Sequence, residues 1–523
     1  MSDTANHHAE VEKLDTEAVN TGAKKKGMSL YARRKRIHPK RASGDFRRLK
    51  WIIMAITLGI YYITPWLRWD RGPFAPDQAV LVDLANRRFF FFFIEIWPQE
   101  FFFVAGLLVM AGVGLFLVTS VVGRAWCGYS CPQTVWTDLF LVVERAVEGD
   151  RNARIRLDKT PWNFDKIRKK VMKHAIWLLI AVATGGAWIF YFADAPTLLV
   201  DVLTGQAAFV AYATVGVLTF TTYTLGGLMR EQVCIYMCPW PRIQAAMLDE
   251  NSLVVTYNAW RGEPRSRGKR KAEAEGKVVG DCVDCNACVA VCPTGIDIRD
   301  GQQLECITCA LCIDACDDVM QRIGRPKGLI SYATLRDYNT NLSLATDPQS
   351  GEIDPRRVHD ESGKMVPGLK HFDWHIFLRA RTLIYAGAWA AIGLVLVYLL
   401  LDRDRLDINV QHDRNPIAVT LSDGSVRNGY TVKLLNMIPE PRTIILTVKG
   451  LPGAVVTVNG FEYSDDNAYA VPVEPDKLRS LRVFVAQPAD RIAAGTVAFQ
   501  FRAEDLQSFE TDVYDANFEV PGK

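Results

Sequence analysis

Two signatures are missing from this 523-residue chain. It has no glycine-rich nucleotide-binding loop and no C-x-x-C-H for covalent haem, which excludes a built-in hydride-transfer or c-type haem site. Charge of one sign is scarce too: 61 Lys and Arg against 58 Asp and Glu leave a net charge of +3, which gives no reason to expect a nucleic-acid partner. Residues 1–28 are polar, with several acids and no short apolar stretch before a small-residue cleavage site, so no signal peptide is expected there. No cysteine follows Cys316, so no disulfide is available to the rest of the chain.

What is present in quantity is hydrocarbon. Trp51–Leu67, Phe101–Val122, His174–Ala193, Ala207–Met229 and Thr382–Leu401 are long, apolar and free of acidic or basic charge. Each can cross roughly 30 Å of lipid as a helix, and only the first is short enough to suit the core of a soluble protein equally well. The expectation is an α-helical membrane protein with five transmembrane helices, the first of which directs insertion. Twelve Lys or Arg lie between Lys24 and Lys50, while none lies between Ala193 and Gln206. That asymmetry places the N-terminus in the cytoplasm. The eleven Lys or Arg of residues 123–173 agree with it. Residues 230–381 are then cytoplasmic and the tail after Leu401 lies outside. The basic run Arg265–Lys271 reads as a solvated linker, not a nucleic-acid contact.

All twelve cysteines fall into groups. Cys282, Cys285, Cys288 and Cys292 with Pro293 form C-x2-C-x2-C-x3-C-P, and Cys306, Cys309, Cys312 and Cys316 repeat the spacing. Three closely spaced thiolates wrap one cubane, and the fourth cysteine of each run serves the other cluster. Cys282, Cys285, Cys288 and Cys316 are therefore assigned to one 4Fe-4S cluster, and Cys306, Cys309, Cys312 and Cys292 to a second. Zinc prefers well-separated C-x2-C knuckles, and a cytoplasmic side disfavours disulfides. Two neighbouring clusters mean one-electron transfer, with electrons supplied by a partner.

The other four cysteines form CGYSCP (Cys127, Cys131) and CIYMCP (Cys234, Cys238), each following an apolar helix and an arginine. If the helix runs through the motif, cysteines four apart share a face with Cβ atoms roughly 6 Å apart. Both pairs are expected at one membrane depth, where four sulfurs can meet one soft metal such as copper(I). Pro132 and Pro239 are expected to end or bend the helices. Copper, a further iron–sulfur cluster, redox-active disulfides and ordinary apolar packing all remain open for these pairs, with the duplication arguing against packing alone.

His371 and His375, also four apart, suit an interfacial anchor with Trp374 better than a metal site. The run Phe89–Phe93, with Glu95 and Glu100 nearby, reads as an aromatic belt with snorkelling acids, a quinone or ion site being the alternative. After Leu401, short alternating stretches (Tyr430–Leu434, Thr443–Val448, Ala454–Val458, Leu481–Val485, Thr496–Phe501) separated by turns predict an antiparallel β-sandwich of immunoglobulin-like size, suited to docking.

The expected divisions are thus a basic cytoplasmic tail over 1–48, four spans over 49–260 in two hairpins that each end in C-x-Y-x-C-P, and a cytoplasmic bacterial-type two-cluster ferredoxin domain over 280–330. A cytoplasmic linker over 331–381, the fifth span over 382–401 and a periplasmic immunoglobulin-like sandwich over 405–523 complete the chain.

The order CGYSCP, CIYMCP, eight-cysteine ferredoxin insert and sandwich tail resembles the FixG/RdxA/CcoG family over nearly the whole chain. That resemblance implies a multi-pass bacterial inner-membrane iron–sulfur oxidoreductase that reduces copper(II) to copper(I) during assembly of cbb3-type cytochrome c oxidase. It implies Cys282, Cys285, Cys288, Cys292, Cys306, Cys309, Cys312 and Cys316 as cluster ligands. It implies Cys127, Cys131, Cys234 and Cys238 as the catalytic copper site. The implied partners are the bilayer, the oxidase or its copper-insertion factors, and a cytoplasmic or quinol donor; a homo-oligomer is compatible. Histidine-rich or methionine-rich copper-storage extensions are absent, which points to transient handling. A quinol-linked electron carrier and a non-enzymatic assembly scaffold are the alternatives.

Overall fold

The structure, a computed structural model, describes residues 14, 36–267, 275–358, 366, 368–370, 374–462, 466–492 and 495–520. His371 and most of the 1–48 tail lie outside these residues. The chain forms two compact units, Met1–Trp66 with Phe102–Leu394, and Leu67–Phe101 with Val395–Lys523.

In the first unit, apolar sequence becomes helix where caps permit it. Asp45–Trp66, Pro98–Val122, Phe164–Ile189, Phe209–Met229 and Ala380–Leu401 are the helices long and apolar enough to cross a membrane, matching the five expected stretches. Asn163 opens the third by accepting from the Lys166 N–H. Asp194 caps a shorter apolar helix, Ala195–Thr204, which left-handed Gly205 ends. The fourth passes from α-helix at Thr221 into a π-helical stretch, Thr222–Met229. There a β-carbon on Gly227 would stand 3.0 Å from the Trp177 ring, so the small residue lets two helices approach closely.

Acids between these helices, Asp138 and Glu144 in the helix Pro132–Glu148 and Asp249 in a loop, gather basic residues from elsewhere. Asp138 accepts from Arg47 at 2.7 and 2.9 Å, with Lys50 at 3.7 Å. Glu144, only 1% exposed, holds Arg230 at 2.6 Å, Arg154 at 2.8 Å and Lys173 at 3.6 Å. Asp249 holds Arg379 at 2.9 Å and Arg381 at 3.1 Å. Buried anions paired this many times bind separate helices into one register.

The ferredoxin region packs helices Ala287–Val291 and Leu311–Arg322 together beneath a two-stranded antiparallel ribbon, Leu253–Tyr257 against Ile330–Thr334. The expected boundaries at 280 and 331 are corrected accordingly. The domain's frame begins at Leu253, and the supposed linker starts inside a strand before the Thr334-capped helix Leu335–Ala345. Each strand has five residues and finds its partner far along the chain, so neither carries a readable local signal.

In the second unit, Val455–Val458, Leu478–Gln487, Val426–Asn436 and Leu406–His412 form one sheet in that order, with Ala418–Thr420 also on Val426–Asn436. The facing sheet runs Tyr469–Val473, Arg442–Lys449, Val497–Asp505, Thr511–Phe518. Alternation sends Tyr430, Val432 and Leu434 inward to meet Val471, Phe501 and Phe518. The phenylalanine run is not a helix-edge belt. Arg88–Phe91 is the middle strand of a small sheet with Val80–Asp83 and Ile94–Ile96, because aromatic residues favour strands as much as interfaces. Glu95 and Asp476 both pair with Arg88, at 3.0 and 2.9 Å, and Glu100 pairs with Arg403 at 3.5 Å.

E144A strands buried cations and is expected to destabilise the protein by about 3–5 kcal/mol, seen as a lower thermal midpoint in detergent. Burial alone would raise the Glu144 carboxyl, but Arg230, Arg154 and Lys173 outweigh it and hold it down at about 2. Its contribution is therefore complete above the ordinary carboxyl range and lost as pH falls towards 2; E144Q should lack that acid-side loss. Glu95 behaves oppositely, since burial and Asp476 push it up to about 7 against the pull of Arg88. The second unit should lose stability as pH rises from about 4.5 to 7, and E95Q should flatten that slope in pH-dependent melting.

Candidate functional site

Each C-x2-C-x2-C run is bent by residues flanking its central cysteine. Asp284 and Asn286 stand at φ 49° and 59° around Cys285, and Thr308 and Ala310 at 54° and 58° around Cys309. Outside glycine this left-handed geometry costs about 1–2 kcal/mol per residue, so something must over-determine it. The bend aims backbone N–H groups at sulfur: Ala287 donates to Cys285, Thr308 to Cys306 and Leu311 to Cys309. Arg299 braces the first loop from outside, donating to Asp284 at 2.9 Å, Asn286 at 2.8 Å and Asp297 at 2.6 Å.

The two runs interlock crosswise. Burial first, then Cys288, Cys282 and Cys285, raise the Cys316 thiol. Around Cys312 the influences after burial are Cys309, Cys306, Cys292 and Cys288, so the two runs lie close together. Between the runs lies a cavity of about 380 Å³ with Cys288, Cys292, Cys306, Cys309 and Cys312 in its wall, among Val255, Ile296, Ile298 and Leu311. Burial pushes Cys288 and Cys306 up to about 12, so these sulfurs need a bound cation to exist as thiolates near neutral pH. Among the described residues no three His, Cys, Asp or Glu side chains close on a single-ion site. Buried sulfurs set around a space, with N–H groups turned to them, fit a cubane cluster in each set.

The CxYxCP motifs do not continue their helices. The second span ends at Val122, left-handed Gly123 follows, and a short helix, Ala125–Tyr129, carries Cys127. Cys131 is the non-helical cap of the next helix, Pro132–Glu148. In the second motif a π-helical turn, Val233–Met237, carries Cys234, and Cys238 is extended ahead of Pro239 and helix Trp240–Met247. The prolines therefore start helices instead of ending them, because a residue with no N–H suits the first turn.

The four thiols lie near enough to influence one another's charge, although they do not close on a single-ion site among the described residues. Burial first, then Cys131, Cys127 and Cys238, raise Cys234 to about 12. Burial raises Cys127 to about 11 against the opposing pull of Arg124, with Cys131 and Cys238 adding to the rise. The Cys127 thiol donates to Gln244 Oε1 at 3.0 Å, and Gln244 Nε2 donates to Thr119 Oγ1 at 3.2 Å. Gln244 carries no sequence signal, being one amide in an apolar helix. Arg124 had one, since an arginine precedes each motif.

The first motif is seated on the ferredoxin. A β-carbon on Gly128 would meet the Ile307 carbonyl at 2.7 Å and Cys309 Cα at 3.0 Å, and Arg124 Nη1 donates to the Leu304 carbonyl. Cys127 shares one apolar cluster with Cys309, Ile307 and Val291. Tyr129 is buried beside Tyr332, whose hydroxyl donates to the Thr308 carbonyl at 3.1 Å. The second motif differs: Tyr236 is 67% exposed. His375 lies in a 3₁₀ turn, exposed, and brings no second described histidine to any site.

A family model described as a 4Fe-4S dicluster domain matches residues 229–335, and one described as a 4Fe-4S binding domain matches residues 102–147. A third, the IG-like fold at the C-terminus of FixG, matches residues 396–521. The chain is 66% identical over 514 residues to nitrogen fixation protein FixG of Rhizobium meliloti, covering 98% of each chain. It is 55% identical to protein RdxB of Cereibacter sphaeroides over 89% of this chain and 95% of that protein. To protein RdxA of the same organism it is 52% identical, over 91% and 95%. A crystal structure of a FixG-related protein from Vibrio parahaemolyticus is 25% identical, with a TM-score of 0.19, covering 22% of this chain and 97% of that one.

Because no side chain fits at Gly128, G128A is expected to push CGYSCP off the ferredoxin loop. It should destabilise by about 1–3 kcal/mol, read as a lower thermal midpoint with iron content retained.

Proposed function

This chain belongs to the FixG family of iron–sulfur proteins, and on that premise we propose that it passes single electrons to copper(II), releasing copper(I) for assembly of a cbb3-type oxidase. The observation that carries the reading is the seating of CGYSCP directly on the loop of Cys306 and Cys309. Cys282, Cys285, Cys288 and Cys316 would hold one 4Fe-4S cluster, and Cys292, Cys306, Cys309 and Cys312 the other. Bound there, the clusters supply one-electron storage and transfer. Cys127, Cys131, Cys234 and Cys238 take the substrate ion. Their soft sulfurs favour copper(I) over copper(II), which adds driving force to the reduction. Gln244 fixes the orientation of Cys127, and the apolar cluster around Ile307 keeps water from the contact. The distribution of basic segments supports a cytoplasmic N-terminus and ferredoxin domain and a periplasmic sandwich.

A cavity of about 440 Å³ beside the first motif, lined by Gln133, Trp136, Thr184, Thr221 and Thr222, supports a second reading in which a membrane quinol is the donor. Its polar groups suit a quinone head group amid apolar walls. Quinol added to membranes should then bleach the cluster spectrum anaerobically.

Reduced protein mixed anaerobically with copper(II) and a copper(I)-specific chelator should develop the chelate colour. C127S and C234S should each slow it tenfold or more, equivalent to about 1.4 kcal/mol, while retaining iron. Wild-type rates in both variants would sink the proposal.

A further inference from the structure

Arg124 and Arg230 stand three and four residues ahead of the first cysteine of their motifs, and the fold treats them differently. Arg230 is paired with Glu144 at 2.6 Å, a carboxylate it shares with Arg154 and Lys173, and donates to the Gly227 carbonyl at 2.8 Å, so it has a counter-charge in contact. Arg124 is 4% exposed, gives Nη1 only to the Leu304 carbonyl, and buries its Nε with no acceptor. Among the described residues no carboxylate lies within ion-pair distance of it. A guanidinium stays charged at any physiological pH, and burying one without a counter-charge is strongly unfavourable. Cysteines flank it in the fold: it stands three residues before Cys127 and holds the carbonyl two residues before Cys306, and its charge favours the thiolates of Cys127, Cys234 and Cys306.

We propose that Arg124 is the charge-balancing residue of the electron path, its guanidinium serving as the shared counter-ion of the thiolate-rich centres at Cys306 and at Cys127. The inference rests on the reading of the motif cysteines as the copper site. The step moves one electron from the centre held by Cys292, Cys306, Cys309 and Cys312 to copper(II), giving copper(I), with no bond made and no proton moved. Each reduced state carries one more negative charge, and a fixed cation buried between the two stabilises both without rearranging. The second motif supplies no equivalent, because its arginine is already held against the Glu144 carboxylate.

The test is a redox titration of the full-length protein in detergent, followed by electron paramagnetic resonance, with iron and sulfide assayed in parallel. R124Q is expected to lower the midpoint of one cluster by at least tenfold in the reduction equilibrium, about 59 mV for one electron, and to leave the other in place. R124K keeps the charge and should hold that midpoint near the wild-type value. An iron-loaded R124Q with both midpoints unchanged overturns the proposal. A midpoint shifted in R124K as far as in R124Q overturns it as well, since shape and not charge would then be the cause. Should R124Q not retain iron, R124K alone decides: a cluster midpoint within about 59 mV of wild type supports the proposal and a larger shift overturns it. The midpoints are read without copper, so a failure of copper reduction in the wild-type protein leaves this test standing.

Discussion

Gly128 lies so close to the Ile307 carbonyl and the Cys309 backbone that a β-carbon has nowhere to go. Three features of the site depend on that contact. It brings Cys127 into the apolar cluster of Cys309 and Ile307, sets Arg124 beneath the Leu304 carbonyl, and buries Tyr129 beside Tyr332. A backbone-to-backbone approach shortens the gap between two sulfur-rich sites more than any side-chain contact can. It also excludes water, so the charges inside act in a low effective dielectric.

The duplicated motif has diverged in its surroundings while keeping its sequence pattern. The first copy is buried on the ferredoxin with an unneutralised arginine. The second has its arginine paired with Glu144 and its tyrosine exposed, on a π-helical backbone. Glu144 serves both, since the ion cluster that fixes Arg230 also ties the helix of Cys131 to the long helix Phe164–Ile189.

The sandwich unit is organised by other forces. Its core is alternation of buried and exposed residues across two sheets, with Tyr430 keeping its hydroxyl bonded to the Asn517 carbonyl at 2.7 Å. The small sheet holding the phenylalanine run joins the same unit through Arg88, which answers Glu95 and Asp476 together. Two acids on one buried cation leave a carboxyl whose charge state is sensitive near neutral pH.

The sequence by itself determined the five apolar helices, the two four-cysteine runs of the ferredoxin region and five of the sandwich strands. Each of these rests on a local period or a fixed spacing: uninterrupted hydrocarbon, three thiols in seven residues, alternation of two. It also marked the four motif cysteines, by repetition. It misplaced the phenylalanine run, because the same aromatic residues suit a strand and a membrane interface. The ribbon Leu253–Tyr257 with Ile330–Thr334, the link from Gln244 to Cys127 and the seating of Gly128 were decided only in three dimensions. The unpaired state of Arg124 belongs with them. Whether a buried charge has a partner depends on which distant acid the fold brings near, and Glu144 reached one motif arginine and not the other.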